Sequence, residues 1–497
     1  MKLRDLLAAV QLKAPLTDSA LDMEVTGLTT NSWACQPGDL FIGIPGTRVN
    51  GGNFWSSAIA AGAVAALVSP EVKLPSANQA CVIPVVDMTR VSAEVAAAFY
   101  GYPVQHLKLI GVTGTNGKTT TTHLIEFLLA QAQQSTALLG TLYTRWPGYQ
   151  ETAVNTTPFA VELQQRLAAA VAAGCKLGVM EVSSHALAQG RVLGCAFEVA
   201  VFTNLTQDHL DFHKDLEDYF AAKASLFSPA YLKGRAVINL DDPYGQRLMG
   251  QVDQDQIWSY STENSAADLW TRDLVYQPNG VRGILHTPQG EIEFNSPLVG
   301  QFNVANLLAA VGAGLHLGLD LPAITQMLPD FPGVPGRMQQ VKIQSDQDIS
   351  VIVDYAHTPD SLENLLQAAR PFIQGKMICV FGCGGDRDRT KRPQMGQVAA
   401  NLADKVVVTS DNPRTENPEK ILADILAGIP SDVQPVVQVD RRAAIHAAIL
   451  QAQPGDGVLI AGKGHEDYQI LGTEKVHFDD CEEAQFALAT RFGNASK

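Results

Sequence analysis

The chain has 497 residues, of which 46% are apolar and 18% charged, and a formal net charge of −15. That composition can bury large cores, and at roughly 150 residues per domain the length predicts about three domains. The acidic balance argues against nucleic acid or an anionic membrane surface as partner, and no apolar run nears the ~18 residues of a membrane helix.

The N-terminal stretch MKLRDLLAAVQLKAP is interrupted by Asp5, Gln11 and Lys13, so neither a signal peptide nor a membrane anchor is expected. Residues 1–104 mix short strands with Gly/Pro turns such as PGDLFIGIPG. An Ala-rich helix is expected near Ala58 to Val68, and the turn cluster GYPVQHL reads as a linker. Residues 105–335 open on the strand LKLIGVT. Further apolar strands, LGVMEVS, EVAVFTNL and RAVINLD, alternate with helical patterns, which predicts βαβ units and a mostly parallel sheet. The stretch from about 255 to 300 alternates strands and turns and reads as a β-rich insertion. After PGVPGR, residues 336–497 hold four apolar strands, ISVIVDYA, MICVFGCGG, KVVVTSDNP and GVLIAGKGHE. Each ends in polar or glycine-rich residues, where an open α/β sheet binds its ligands. The seven cysteines show no metal or redox spacing; Cys379 and Cys383 are nearest and read as reduced packing residues of a cytoplasmic protein.

The chemistry concentrates first in Gly111-Val-Thr-Gly114-Thr115-Asn116-Gly117-Lys118-Thr119-Thr120, between a strand and the helical pattern HLIEFLLAQAQ. Glycines turn backbone N–H groups toward phosphate oxygens, and the helix N-terminus adds its positive end. Lys118 is placed to reach the β- and γ-phosphates and Thr119 to hold Mg²⁺. The general pattern G-x-x-x-x-G-K-[ST] fails at its first glycine: Val112 stands there, and Gly111 comes one residue early. The predicted fold is therefore α/β in three domains, with a central P-loop parallel-sheet ATPase domain and a C-terminal Rossmann-like domain. Glu181, at the end of LGVME, and His209, in VFTNLTQDHLDFH, are candidate metal ligands off strand ends. His213 and Asp211 read as structural or solvated.

The variant loop TGTNGKTTT resembles that of the Mur ligases and the related folylpolyglutamate synthetases, ATP-dependent amide-forming enzymes. The resemblance extends along nearly the whole chain. Tyr219 to Phe227 fits the family's YxxAKxxLF, which implies that Lys223, otherwise a plain helix lysine, is carbamylated and holds a second Mg²⁺ with histidine and glutamate. Gly300 to Asn306 resembles GxFNxxN and implies Asn306 near adenine; Arg337 and Asp354, the latter in DYAHTP with His357, are implied to meet phosphate and ribose. The resemblance implies ATP, UDP-N-acetylmuramoyl-L-alanyl-D-glutamate and meso-diaminopimelate as substrates, Mg²⁺ as cofactor and a monomer. Asn155, Thr156 and Thr157 in NTTP, with Ser183, Gln189 and Arg191 in EVSSHALAQGR, would hold the UDP dipeptide; a guanidinium grips carboxylates bidentately. Thr30 and Ser32 fall in a stretch like the family's uridine site, DSRxVxPGDxFxAxxG, from which Asn31 and Trp33 depart. Asp411, Asn412, Pro413 and Arg414 form DNPR, which accompanies diaminopimelate, with Arg387, Gly462 and Glu466 as matching partners. Arg414 suits a substrate that ends in a carboxylate as well as an ammonium, and Glu466 suits that ammonium. Addition of lysine, a folate-type amide ligase and a non-catalytic nucleotide-binding protein are the alternative readings.

Overall fold

The structure, a computed structural model, describes residues 1–14, 17–46, 49–74, 81–277 and 280–495. The chain forms two compact units, one of residues 1–113, 133–200 and 222–234, the other of residues 114–132, 201–221 and 235–497.

The first unit opens with a four-stranded parallel sheet of Gly27–Thr29 (β1), Asp39–Gly43 (β2), Ala65–Val68 (β3) and Val82–Pro84 (β4) in sequential order. One core, with Leu3, Leu6, Leu40, Leu67 and Val95, covers one set of its side chains, and a smaller core with Phe41, Ala58 and Ala66 covers the alternate set. The Ala-rich segment expected as one helix is instead a helix, Trp55–Ala60, followed by β3. Gly62, at φ 106°, turns the chain between them, and a Cβ there would stand 2.9 Å from Pro37 Cα. A short apolar run cannot be told from a helix by periodicity, and here full burial of Ala65–Val68 decides for strand.

The same unit holds Lys108–Thr113 (β5), Thr136–Leu139 (β6), Tyr143–Trp146 (β7), Tyr149–Thr152 (β8) and Leu177–Glu181 (β9). β5 and β6 flank β9 in parallel, and β7 and β8 add an antiparallel hairpin beside β6. The chain leaves this unit within Phe197–Phe202 (β10).

Leu232–Asn239 (β11), which belongs to the second unit from Arg235 on, pairs in parallel with Ile257–Ser261 (β12), and β12 with Leu269–Gln277 (β13). Gly280–Thr287 (β14) and Gly290–Ser296 (β15) continue antiparallel, so the β-rich insertion is a hairpin extension with a register shift between Arg272 and Val275. The C-terminal sheet contains Gln339–Gln340 (β16), Ser350–Asp354 (β17), Met377–Phe381 (β18), Lys405–Val408 (β19), Val436–Val437 (β20) and Gly457–Ala461 (β21). Its order is β16-β17-β21-β18-β19-β20, parallel except for β16. β21, last in sequence of these strands, inserts between β17 and β18, so connections depart to both sides and open a crevice at the carboxyl ends. Two apolar cores cover the two faces of this sheet, one with Leu362, Phe381, Met395 and Leu459, the other with Val353, Val380, Ile445 and Leu488. A final hairpin, Tyr468–Leu471 (β22) and Glu474–His477 (β23), precedes the helix Asp480–Ala495.

All seven cysteines are free thiols, and burial pushes Cys379 and Cys383 up to about 12, which suits the packing role expected of them. Among the described residues no helix is long and apolar enough to cross a membrane.

Candidate active site

The phosphate loop follows β5, and Gly117, at φ 84°, starts the helix Lys118–Gln131. Two of its glycines have positive φ and crowded surroundings. A Cβ on Gly114 would lie 1.9 Å from Thr203 Oγ1, and one on Gly117 would lie 2.3 Å from Asn306 Oδ1. The loop is held from outside by a polar frame. Thr115 N donates to Asn204 O (2.9 Å), Asn116 N to Asn204 Oδ1 (2.9 Å), and Thr203 Oγ1 to Asn116 O (2.6 Å). Thr115 Oγ1 accepts from Thr206 N (3.0 Å) and lies 3.2 Å from the buried Tyr219 hydroxyl. Lys118 Nζ donates to Gly114 O (3.0 Å) and Thr115 O (2.8 Å), so its ammonium arches over the loop.

Residues distant in sequence converge here. Thr121 Oγ1 donates to Asn306 Oδ1 (3.3 Å), and Asn306 Nδ2 donates to Asn303 Oδ1 (3.1 Å). Arg337 Nη2 donates to Thr119 Oγ1 (3.3 Å), and Asn116 Nδ2 donates to Asp360 Oδ2 (2.7 Å). Asp354 Oδ2 accepts from Met338 N (2.6 Å), next to Arg337. Burial raises Asp354 from its usual range, against the pull of the Arg337 charge. His209 has left-handed backbone, φ 57°. Its neighbour Asp208 is buried and meets His209 Nε2 (3.5 Å), His357 Nε2 (3.6 Å) and Lys391 Nζ (3.4 Å). Burial alone would raise Asp208; the bond from His357 and the nearby positive charges outweigh it and hold the carboxyl well below the usual range. His213 is buried against Asp218 (3.3 Å), in keeping with a structural part.

Of the expected dipeptide residues, Thr156, Thr157, Ser183, Gln189 and Arg191 join one network in the first unit, together with the candidate metal ligand Glu181. Glu181, fully buried at the end of β9, accepts from Thr141 N (2.7 Å) and Thr141 Oγ1 (2.9 Å). Thr141 Oγ1 also reaches Thr156 Oγ1 (3.1 Å). Thr157 Oγ1 donates to Glu181 O (2.8 Å) and accepts from Ser183 N (3.0 Å). Arg191 donates through Nη1 to Thr157 O (2.8 Å) and through Nε and Nη2 to Gln189 Oε1 (2.9 and 2.7 Å), and stacks 3.9 Å over the Phe159 ring. Thus NTTP and EVSSHALAQGR are brought together. At the uridine-like stretch, Asn31 Oδ1 accepts from Trp33 N (3.0 Å), and Trp33 is 92% exposed. Thr30 is exposed and Ser32 half-buried. Lys223 is buried, at 1% exposure, whereas a solvated helix lysine would be exposed.

The DNPR and GKGHE loops meet at the carboxyl ends of β19 and β21. A Cβ on Gly462, at φ 119°, would stand 2.7 Å from Asp411 Oδ2. Asn412 Nδ2 donates to Glu466 Oε2 (2.8 Å), and Lys463 Nζ donates to the same oxygen (3.1 Å) and to Asn412 Oδ1 (3.3 Å). Arg414 has φ 52° and donates through Nη1 to Gly385 O (2.9 Å). Arg387 is exposed, with Nη1 on Asp386 O (3.0 Å). Beneath both loops the buried Arg441 binds Asp480 through two 2.7 Å bonds and donates to Ser410 O (3.3 Å) and Ala461 O (3.0 Å). Burial disfavours its charge, but Asp480 more than offsets that and raises Arg441 further.

Asp360, Lys391, Thr141, Tyr355, Lys463 and Arg441 escaped the sequence reading. Asp360 and Lys391 sit in or beside motifs that were read, DYAHTP and GGDRDRTKRP, and adjacency was the available signal. Among the described residues no group of three or more His, Cys, Asp and Glu side chains gathers to hold a metal ion. The expected set contains two such side chains, Glu181 and His209, completed by the Thr119 hydroxyl and Lys223.

Comparison with known proteins gives three family matches in chain order. They are the Mur ligase family catalytic domain over residues 24–100, the Mur ligase middle domain over 112–314 and the Mur ligase glutamate ligase domain over 336–464. The chain is 71% identical over 493 residues to the UDP-N-acetylmuramoyl-L-alanyl-D-glutamate–2,6-diaminopimelate ligase of Trichormus variabilis, with 99% of each chain covered. It is 66% identical over 491 residues to the ligase of the same name from Thermosynechococcus vestitus, covering 99% of this chain and 98% of that one. A solved structure of a ligase of that name matches at TM-score 0.69 and 36% identity, covering 99% of each. The chain belongs to the Mur ligase family of ATP-dependent, amide-forming enzymes.

Proposed function

We propose that this chain joins meso-diaminopimelate to the D-glutamate of UDP-N-acetylmuramoyl-L-alanyl-D-glutamate at the expense of ATP, in the synthesis of peptidoglycan precursors. The observation that carries this is the union of DNPR and GKGHE at the carboxyl ends of β19 and β21, in a chain 71% identical to a ligase named for that reaction. The working division is 1–104 for the UDP substrate, 105–335 for ATP and 336–497 for the amino acid. Both nucleotide substrates are water-soluble, which agrees with a reaction in the cytoplasm.

A carboxylate is a poor acceptor for an amine and must first be activated. The D-glutamate γ-carboxylate attacks the γ-phosphorus of ATP, forming an acyl phosphate and releasing ADP. The amine of diaminopimelate then attacks the acyl carbon, loses a proton and expels phosphate. Backbone N–H groups of Gly117 to Thr120, at the helix N-terminus, cradle the phosphates, with Lys118 and Arg337 balancing charge that builds on them. Asn306 and Asp354 hold the nucleoside. Thr30 and Ser32 hold uridine, and Asn155, Thr156, Thr157, Ser183, Gln189 and Arg191 hold the dipeptide. Thr119 and His209 in the second unit, and Glu181 and Lys223 as its carbamate in the first, are the proposed Mg²⁺ ligands; Mg²⁺ would neutralise phosphate charge when bound. Their oxygen-rich donor set fits a hard cation, and the burial of Glu181 and Lys223 agrees with it. Arg414 and Arg387 pair with the distal carboxylate of diaminopimelate. Glu466, whose Oε2 accepts from Asn412 and Lys463, takes the distal ammonium.

The test incubates the protein with ATP, Mg²⁺ and the UDP dipeptide and follows phosphate release with diaminopimelate against lysine. Release with diaminopimelate alone is expected. Release with lysine alone would keep the family and remove the role given to Arg414, and no release with either would overturn the reading.

A further inference from the structure

Three segments far apart in sequence pack around one ring. Tyr355 N donates to Gly336 O (2.9 Å), and that carbonyl also accepts from Arg337 Nη1 (3.1 Å). The Arg337 guanidinium carbon lies 4.4 Å from the centroid of the Tyr355 ring. His357 stands edge-on to the same ring at 4.6 Å, and His465 of GKGHE is tilted against it at 5.0 Å. The backbone leaves no slack. A Cβ on Gly464 would lie 2.7 Å from Tyr355 Cβ, and one on Gly336 would lie 2.1 Å from His465 N. Burial, then the charge of Arg337, brings His465 down to about 3, so this imidazole is neutral and adds no second cation beside the ring.

We infer that Tyr355 is a positioning residue for the ATP half-reaction: its ring face is the platform that holds the Arg337 guanidinium on Thr119 of the phosphate loop. A flexible arginine loses side-chain entropy on docking, and a ring at van der Waals distance restricts it beforehand. The guanidinium is planar and weakly hydrated, so it stacks where an ammonium would not. Its far nitrogen then reaches Thr119 Oγ1 at 3.3 Å. The inference rests on the assignment of Arg337 to the phosphates of ATP.

The experiment measures kcat/KM for ATP and, by titration calorimetry, the dissociation constant of a non-hydrolysable ATP analogue, with a melting curve for each variant. Tyr355→Leu removes the ring face and is expected to lower kcat/KM for ATP and weaken the analogue by about tenfold each. Tyr355→Phe keeps the face and should restore both to within about threefold of the parent. If the leucine variant does not fold, Tyr355→Met, which fills the space without a ring, takes its place. In an Arg337→Ala background the loss of the ring should cost no more than about twofold further, because the two residues act as one unit. A Tyr355→Leu enzyme that matches the parent while Arg337→Ala is impaired would overturn the platform and leave the role of Arg337 standing. Equal losses in the phenylalanine and leucine variants would also overturn it. An unimpaired Arg337→Ala enzyme would overturn both.

Discussion

Arg414 shows how firmly the fold holds one side chain. Its left-handed backbone is uncommon for a non-glycine residue and carries strain of about 1–3 kcal/mol. Arg414 N donates to Ile470 O (3.1 Å) and Gly472 N donates to Arg414 O (2.9 Å), so the β22 hairpin clamps both sides of it. With Nη1 on Gly385 O, the fork is aimed rather than free. Arg414→Lys should raise KM for diaminopimelate about ten- to hundredfold, since a charge-assisted pair contributes about 1.5–3 kcal/mol, while KM for ATP stays near its parent value. Equal rises in both constants would count against the assignment. Thr157 makes the same point for stability. Its hydroxyl serves Glu181 O and Ser183 N in a buried spot, so Thr157→Val should lower the unfolding free energy by about 1–3 kcal/mol, and Thr157→Ser should recover most of it in denaturant titrations. NTTP and DNPR stood out in the sequence through their resemblance to the family's motifs, and their substrate roles are part of the proposal. Thr141 and Arg441 did not stand out. A threonine after a strand and an arginine in QVDRRAA have no pattern of their own, and folding alone brings them to Glu181 and Asp480.

Elements decide where these residues can stand. The phosphate loop needs glycine where its backbone turns left-handed at the helix start. At Gly117 the φ of 84° and the Asn306 oxygen close by both exclude a side chain. Gly117→Ala should therefore abolish measurable ATP binding in calorimetry while leaving binding of the UDP dipeptide in place; retained ATP affinity would show that the loop can reshape. The strand–loop–helix order was readable because each element is long or bounded by glycine. The Ala58 to Val68 stretch was not, because a short alanine-rich run satisfies both periods until burial chooses. The C-terminal helix supplies a pH-dependent test. Arg491 ties it to Asp348 through bonds of 3.0 and 2.7 Å, and that bond to Arg491 lowers the pKa of Asp348 against a smaller opposing effect of burial. A carboxyl lowered in the folded state stabilises above its unfolded pKa and loses that contribution as pH falls through the folded one. Asp348→Asn should thus cost about 1 kcal/mol near neutrality, modest because the pair is partly exposed, and the difference from the parent should shrink on acidification. A difference that grows toward low pH would contradict the assignment.

On the scale of the whole molecule, the residues assigned to the UDP dipeptide and those assigned to ATP and diaminopimelate fall in different compact units. Thr30, Ser32, Asn155 to Thr157, Ser183, Gln189 and Arg191 all belong to the first; Gly114 to Thr120, Asn306, Arg337, Asp354 and the DNPR and GKGHE loops all belong to the second. This grouping does not follow chain order, because residues 114–132 group with the C-terminal residues, and linker composition gave no sign of it. A ligand stabilises the state it binds by RT ln(1 + [L]/Kd), about 2.7 kcal/mol at a hundredfold excess over Kd, and that gain appears where the binding residues are. Hydrogen exchange reads it segment by segment. A non-hydrolysable ATP analogue alone should slow exchange in residues 114–131 and at 301–306 far more than in 155–157 and 183–191. The UDP dipeptide alone should give the reverse pattern, and Lys118→Ala should remove the first effect without touching the second. If the UDP dipeptide alone protected the phosphate loop and left NTTP unchanged, the division of substrates between the two sets of residues would be wrong. The two single-ligand experiments are therefore the decisive pair, since each unit serves as the control for the other.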